Sequence, residues 1–279
     1  QNFQLELEQS PVQFITIKGI EYVKKSRIAL AEYVNCNEDD LVLIPNPTYG
    51  VNVVAKNLDL QPNDEILTTN IEYGACDRTW QYYCEKAEAK YIRQPIHLPL
   101  ESEDEFVSDL FKGVTSKTKL IFISHITSST ALIFPIKKVI EKAKQLGLKT
   151  FIDGAHVPGH IALDLQDLDA DYYTAACHKW MMTPKGSSFL YVRKELQNEL
   201  DPLIFSWGYK AVYPSSSQFI DYHQFTGTID FSAFCTIPTA IEFMQENQWH
   251  LIAAKCRQLV YDNAERFTTL LQSYTLAPL

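Results

Sequence analysis

Residues 151–192 read FIDGAHVPGHIALDLQDLDADYYTAACHKWMMTPKGSSFLYV, and this stretch decides the fold of the chain. Three apolar runs of strand length lie in it or at its border, at 149–152, 171–176 and 188–192. Gly, Pro and Asp residues bound these runs, as expected for short buried strands that end in turns. The stretch therefore predicts part of a buried sheet, with polar side chains in the turns that follow its strands.

Outside this stretch, apolar runs continue to alternate with segments of helical period. Four further strands are predicted at 41–45, 65–69, 90–92 and 119–124. Helices are predicted at 14–34, 48–58, 75–86, 105–111 and 136–146. This alternation is typical of an α/β fold with a mostly parallel, seven-stranded sheet and helices on both faces. Such sheets bind ligands outside the carboxyl ends of their strands.

The pattern changes after about residue 194. Residues 201–217 are irregular and contain two prolines and three consecutive serines. Two helical segments follow, at 237–246 and 248–273. A long amphipathic helix normally leads into further structure, so we expect this chain to be a truncated form of a longer protein.

The composition excludes several classes of protein. The 279 residues include 25 Lys and Arg against 34 Asp and Glu, which gives a formal charge of −9. Nucleic-acid binding needs a basic face, so nucleic acid is not an expected partner. No apolar run approaches the ~20 residues that span a bilayer, and the polar, acidic start predicts no signal peptide. The cysteines form no CxxC pair, which favours reduced thiols and a cytoplasmic location.

Common catalytic motifs are absent from the sequence. It contains no GxG pair, no P-loop, no GxSxG and no HExxH. His156 and His160 are four residues apart and, together with Asp153, are candidate ligands of a metal-dependent hydrolase. Pro158 and Gly159 lie between the histidines and disfavour the helix that would align them. Metal ligation is therefore an alternative hypothesis.

Lys179 lies in an apolar run, AACHKWMM (175–182), directly after a predicted strand. Most lysines are solvated, and burial lowers the pKa of an amine, which favours a neutral nucleophile. Asp153 follows the neighbouring strand, where it either caps a turn or faces a ligand. Pyridoxal 5′-phosphate (PLP) requires a lysine for its Schiff base and an acidic partner for its ring nitrogen. Asp153 and Lys179 together therefore favour PLP as the cofactor.

Residues 46–50, NPTYG, open the helix that follows the first predicted strand. Asn46 fits the cap of this helix and Pro47 fits its first position. The free N–H groups of Thr48 and Tyr49 would then point at an anion such as a phosphate. An ordinary capped helix explains the same residues.

Six segments, in order along nearly the whole chain, carry a resemblance to a known family: NPTYGVNVV, IEYGACDRTW, SHITSSTALIFPI, FIDGAHVPG, DYYTAACHKWMMTPKG and FTGTIDFSAF. The chain resembles the class V aminotransferase-like PLP enzymes of fold type I, and most closely the isopenicillin N epimerase-like and cysteine desulfurase-like branch. The resemblance implies the large domain of a fold-type I PLP transferase. It also implies chemistry at Cα or Cβ of an amino acid, by epimerisation, by lyase or desulfurase reactions, or by transamination.

The resemblance further implies roles for individual residues around PLP. Lys179 would hold the cofactor as a Schiff base and move protons at Cα. Asp153 would pair with the ring nitrogen, and His156 would lie near the ring oxygen. The remaining side chains would only bind the cofactor: Thr48, Tyr49 and His178 at the phosphate, Tyr73 on the face of the ring and Ser128 at the ring oxygen.

Assembly and domain organisation are implied in the same way. Thr228 matches a segment that reaches the phosphate of the neighbouring subunit, which implies a homodimer with shared sites. Residues 1–240 would form the large PLP-binding domain, with the helix at 14–34 included. Residues 241–279 would form a long helix that leads to a truncated small domain, where the Arg for the substrate carboxylate and any catalytic Cys would lie. A catalytically silent PLP-binding subunit is a further alternative.

Overall fold

The computed structural model describes residues 1–277, and its strands occur where the apolar runs predict them. The seven strands are β1 (Leu41–Ile44), β2 (Glu65–Thr69), β3 (Lys90–Gln94), β4 (Thr118–Ser124), β5 (Lys149–Asp153), β6 (Tyr172–Ala176) and β7 (Ser188–Val192). Strands β1, β2 and β6 are entirely buried, and β4, β5 and β7 each have a single residue that is not, because helices cover both faces of the sheet. The edge strand β3 has no buried residue. The predicted strands are confirmed, with differences of one or two residues at some ends.

The strands form one sheet in the order β1-β7-β6-β5-β4-β2-β3. Neighbouring strands are parallel except where β7 pairs antiparallel with β1 and β6. This confirms the prediction of a mostly parallel sheet. The register places Asp153 beside Ser124 on one side and beside Thr174 on the other. Polar residues from three strands therefore meet at the carboxyl edge of the sheet.

Helices connect these strands and cover both faces of the sheet. They are α1 (Asn2–Gln9), α2 (Pro11–Gln13), α3 (Gly19–Tyr33), α4 (Pro47–Asn57), α5 (Gly74–Lys86), α6 (Glu103–Phe111), α7 (Ile136–Gln145), α8 (Leu165–Leu168), α9 (Gln218–Gln224), α10 (Ser232–Cys235), α11 (Ile237–Glu246) and α12 (Trp249–Leu271). A π-helical turn, Phe14–Lys18, joins α2 to α3, so the helix predicted at 14–34 is irregular in its first turn. The short helices α1, α2, α8, α9 and α10 were not predicted from the sequence.

The core divides into two layers because side chains alternate along each strand. On β4, Ile121 and Ile123 pack in a cluster with residues of α3, α6, α7 and α11. Leu120 and Phe122 face the opposite way, into a cluster with residues of α4, α5 and α9. Both faces of the central strands are therefore buried, which fixes the sheet edge that carries the polar residues.

The C-terminal part of the chain packs less closely than the sheet. The structure contains no helix or strand between residues 200 and 217, as the irregular sequence predicts. Two hydrogen bonds join helix α12 to the loop after β5: Trp249 Nε1 donates to the Gly159 carbonyl at 2.6 Å, and Arg257 Nη1 donates to the His160 carbonyl at 3.1 Å. Trp249 also packs against the core. Within residues 1–277, every helix is too short or too polar to cross a bilayer.

Candidate active site

A cavity of about 400 Å³ lies where the carboxyl ends of the central strands meet the start of α4. It brings together most of the site residues predicted from the sequence: Thr48, Tyr73, Ser128, Asp153, His156, His178 and Lys179. Asn46 and Ser124 also line it. Residues that are far apart in the sequence meet here because the parallel strands all end at the same edge.

Asp153 is the last residue of β5, and only 4% of it is exposed. Its Oδ1 accepts a hydrogen bond from the Ala155 amide at 3.0 Å, and its Oδ2 lies 3.5 Å from the Cys76 thiol. Burial raises the pKa of this carboxyl, while the Ala155 amide and the nearby Lys179 act in the opposite direction. Asp153 thus does cap a turn through one oxygen, and its second oxygen has only a weak thiol donor.

Lys179 lies in the turn after β6, with its amine half-buried. Its Nζ is 3.0 Å from His156 Nε2, and within residues 1–277 no carboxylate approaches it to ion-pair distance. Burial lowers the pKa of the amine, and Asp153 opposes this shift. A desolvated amine without a direct counter-ion is closer to a neutral nucleophile than a surface lysine is.

Asn46 caps α4 and lines the cavity at the helix start, where the sequence predicts the phosphate. Its Oδ1 accepts from the Tyr49 amide at 2.9 Å, so this amide is not free to bind an anion. The Tyr49 side chain does not line the cavity and packs against the cluster below the sheet. Thr48, at the second helical position, has no intrahelical carbonyl for its amide and stays available. His178 also lines the cavity, and burial lowers its pKa.

Tyr73 and Ser128 lie on two different loops of the cavity. Tyr73 directly precedes α5, and 47% of it is exposed, which leaves its ring free to cover a planar ligand. Ser128 lies in the turn closed by the bridge between Ile126 and Ile133. The two side chains therefore add an aromatic face and a hydroxyl to the charged groups.

Thr228 does not join the cavity within this chain. Its neighbour Gly227 lines a different cavity of about 410 Å³, between the 215–231 segment and α3. This position agrees with the expectation that Thr228 serves a second subunit, and that expectation stays a prediction.

Sequence reasoning missed several residues next to the site. Glu72 is buried, and its carboxylate accepts from Thr69 Oγ1 at 2.7 Å and from the Ser124 amide at 2.9 Å, so it ties the ends of β2 and β4 together. Burial raises the pKa of Glu72 to about 7. Cys76 and Trp180 were also missed. The sequence did offer one indication of Glu72, since a carboxylate directly before the predicted site residue Tyr73 could have been expected near the site.

The metal-ligand hypothesis finds no support in the geometry. Within residues 1–277, no group of three or more His, Cys, Asp or Glu side chains is arranged to hold a metal ion. His156 faces Lys179, and the His160 ring packs on Trp180 with the ring centroids 4.8 Å apart.

Comparison with known proteins identifies the family. Residues 12–277 match the family model described as aminotransferase class-V. This chain belongs to the class V aminotransferase family. Among curated proteins, it is 30% identical over 276 residues to isopenicillin N epimerase of Streptomyces clavuligerus, covering 95% of this chain and 69% of the relative. It is 29% identical over 239 residues to putative L-cysteine desulfhydrase 1 of Oryza sativa subsp. japonica, covering 80% of this chain and 48% of that protein.

The same family relationship is visible in the fold. A solved cystine C-S lyase, C-DES, in complex with cysteine persulfide, superimposes with a TM-score of 0.78 at 23% identity. The match covers 88% of this chain and 67% of the lyase. At this identity the likeness shows the fold alone, which is that of the fold-type I PLP enzymes, and it confirms the predicted fold class.

The cofactor of this class V aminotransferase family member is PLP. The cavity fits this cofactor on its own chemistry. The buried Asp153 lacks a cationic partner at ion-pair distance within residues 1–277, the desolvated Lys179 amine lies nearby, and a capped helix N-terminus faces the same space. A pyridinium nitrogen, an aldehyde carbon and a phosphate are the groups that these three features would bind.

Proposed function

We propose that the chain catalyses PLP-dependent chemistry at Cα or Cβ of a small amino acid, with Lys179 as the lysine that binds the cofactor. The observation that carries the proposal is the arrangement of Asp153 and Lys179, two desolvated groups of opposite type at one sheet edge. The family relationship supports the same chemistry. Epimerisation, elimination at Cβ and transamination all begin with loss of a bond at Cα, and this site is suited to each of them.

When bound, PLP withdraws electrons from Cα of the substrate and so weakens the bonds at that carbon. Asp153 would hold the positive charge of the ring nitrogen, because a buried carboxylate gains most from a cationic partner. Lys179 would bind the cofactor and afterwards accept and return the proton at Cα. Burial lowers the pKa of this amine, which favours the neutral form that both tasks need.

The remaining residues would orient the cofactor. The Thr48 amide and His178 would contact the phosphate, and Tyr73 would cover the ring, where stacking adds roughly 0.5–1.5 kcal/mol. Ser128 and His156 would lie at the ring oxygen. Such fixed contacts contribute to rate because they hold the reacting carbon in one geometry.

We also propose that the protein is a homodimer. Several large side chains between residues 204 and 213 are exposed, above all Trp207 at 87% and Tyr213 at 92%. Exposed aromatic side chains in one segment are typical of an interface. The position of Thr228, outside the cavity of its own chain, supports a role at the phosphate site of the neighbouring subunit.

Location and domain division remain proposals of the same kind. Each of the cysteines is a free thiol in the structure, which supports a cytoplasmic location. The proposed division near residue 240 falls inside α11, which packs in the core, and it is α12, from residue 249 on, that is largely exposed and supports a separate C-terminal part.

Borohydride reduction of the PLP-loaded protein tests the assignment of Lys179. Reduction should fix the cofactor on the peptide that contains Lys179, and Lys179→Ala should abolish both this label and turnover. Lys185→Ala is the matched control, since Lys185 is an exposed lysine of the same turn, and this variant should keep the label. A label on Lys185 or no label in the unchanged protein would contradict the assignment.

A panel of amino acids then distinguishes the reactions. Cysteine should release sulfide if the enzyme eliminates at Cβ, and alanine should exchange its Cα hydrogen with deuterium oxide if it only moves a proton. Absence of both, with full cofactor binding, would favour the silent binding subunit.

A further inference from the structure

Trp180 directly follows Lys179 and contacts the same histidine. Its indole Nε1 lies 3.3 Å from His156 Nδ1, while His156 Nε2 lies 3.0 Å from Lys179 Nζ. An indole nitrogen carries a proton and can only donate a hydrogen bond. His156 Nδ1 must therefore accept, and it cannot carry a proton of its own.

His156 is a neutral ring near pH 7. Burial lowers its pKa to about 4, and the neighbouring Lys179 and His160 act in the same direction. A neutral imidazole carries one proton, and Trp180 leaves only Nε2 for it. The Nε2–H then points at the Lys179 amine. An ammonium has no lone pair to accept this hydrogen, whereas a neutral amine does.

We propose that Trp180 is a positioning residue that fixes the tautomer of His156 and thereby holds the Lys179 amine in its neutral, nucleophilic form. The inference rests on the proposed role of Lys179 as the cofactor-binding lysine. It adds a residue that acts through another and that has no direct place in the cofactor cavity.

The other charged groups around the Lys179 amine show why a hydrogen-bond donor from His156 matters. Asp153 and Cys76 favour the ammonium, and Lys185 opposes it. Asp153 is required at the ring nitrogen, so its charge cannot be removed to neutralise the amine. A donor aimed at the amine from His156 works against the carboxylate without removing it.

Trp180, 45% of which is exposed, has a second ring contact. Its ring packs on that of His160 at 4.8 Å, and the His160 carbonyl accepts from Arg257 on α12. Trp249 donates to the neighbouring Gly159 carbonyl. The two hydrogen bonds from α12 therefore hold the loop that carries both histidines. This supports the orientation of Trp180 towards His156.

The tautomer of His156 can be measured directly by nitrogen-15 NMR on the full chain stripped of cofactor. The unchanged protein should show His156 protonated at Nε2 and not at Nδ1. Trp180→Phe keeps the ring on His160 but removes the donor, so protonated Nδ1 should become populated. Trp249→Phe is the matched control, because it removes an indole hydrogen bond to the same loop without touching His156, and it should leave the tautomer unchanged.

The pH dependence of PLP capture by the same stripped protein gives a second readout. In Trp180→Phe, His156 Nε2 can accept from the ammonium, so the apparent pKa of the capturing amine should rise by about one unit. Capture at pH 7 should then be about tenfold slower, with the rate recovered at higher pH. Loss of rate at every pH would indicate only structural damage and would overturn the proposal.

Two outcomes separate this inference from the one on which it rests. Covalent capture that persists in Lys179→Ala would refute the assignment of Lys179 itself. Capture that depends on Lys179, with the Nδ1-protonated tautomer in the unchanged protein or with an identical pH profile in Trp180→Phe, would refute the role of Trp180 alone.

Discussion

The carboxyl edge of the sheet and the segment 204–213 depart from ordinary protein surface in opposite ways. At the sheet edge, Asp153 and Glu72 are buried carboxylates. In the segment, Trp207 and Tyr213 are almost fully exposed. Burying a charge and exposing an aromatic ring both cost free energy when nothing compensates them. Asp153 and the exposed segment are therefore the two places where the proposals put a cofactor and a second subunit.

The two regions differ in how far the chain has already shaped a binding site. The sheet edge comes with capped turns, hydrogen-bonded carboxylates and a shaped cavity, which are the features of a preorganised small-molecule site. The segment 204–213 contains no helix or strand and exposes large aromatic side chains without forming a shaped cavity of its own. The first region fits a cofactor by its chemistry, and the second is the basis of the proposed dimer interface.

Asp153→Asn should have the largest effect, because it removes the charge that compensates the ring nitrogen while keeping the shape. Asn can still accept the Ala155 amide, so the fold should be retained. We expect turnover to fall by roughly 10²–10³-fold, in line with about 3–4 kcal/mol for removing one partner of a buried pair.

Thermal unfolding of the cofactor-free variant serves as the control for this prediction. Without PLP, Asp153→Asn should be at least as stable as the unchanged protein, since a poorly compensated buried carboxyl has been removed. Full turnover in the variant would show that Asp153 is only a turn cap.

Glu72→Gln addresses the other buried carboxylate and should change the pH dependence of stability. The pKa of Glu72 is raised to about 7, so between its ordinary value and pH 7 the folded state holds a proton that the unfolded state has lost. The contribution of Glu72 to the free energy of unfolding therefore falls by about 3 kcal/mol as pH rises through that window.

Gln can keep the contacts of Glu72, accepting from Ser124 and donating to Thr69, but it does not titrate. The difference in unfolding free energy between the two proteins, from urea titrations at pH 4.5 and pH 8, should change by that amount. Buried histidines contribute an opposite slope to both proteins, which cancels in the difference. Parallel curves would contradict the assignment of this titration to Glu72.

Trp207→Ser tests the exposed region and should have the smallest effect of the three. If the segment forms the dimer interface, loss of a large aromatic side chain should weaken association by about 2 kcal/mol, or roughly 30-fold in Kd. Sedimentation equilibrium measures this change. Leu270→Ser, at an exposed position of α12 outside the segment, is the control and should leave the dimer unchanged. A monomeric unchanged protein would refute the proposed assembly.

The sequence predicts the strands well and the contacts between them poorly. Apolar runs fix where strands occur, and Asp153 and Lys179 stand out because polar residues are unexpected directly after buried strands. The contacts of Cys76 with Asp153 and of Glu72 with Ser124 join residues far apart along the chain, and no local pattern encodes them. The antiparallel direction of β7 was missed for the same reason.

Tyr49 shows a different kind of error, in which a local pattern was present but was interpreted incorrectly. The NPTYG segment does form a capped helix start, but the cap uses the very amide that was expected to bind an anion. Capping and anion binding compete for the same N–H groups, so a strong cap residue argues against the amide that it occupies.

The pairing of β1 with β7 also has a consequence for the order in which the protein matures on the ribosome. Leu41 pairs with Tyr191, with most of the sheet encoded between them. Strands β4, β5 and β6 each find a neighbour as soon as they emerge, whereas β1 waits for β7 before it can join the sheet. Helix α4 follows β1 directly, so its capped start reaches its final place late. We therefore expect the nascent chain to gain a complete phosphate-binding end of the site only once β7, which ends at Val192, has joined the sheet.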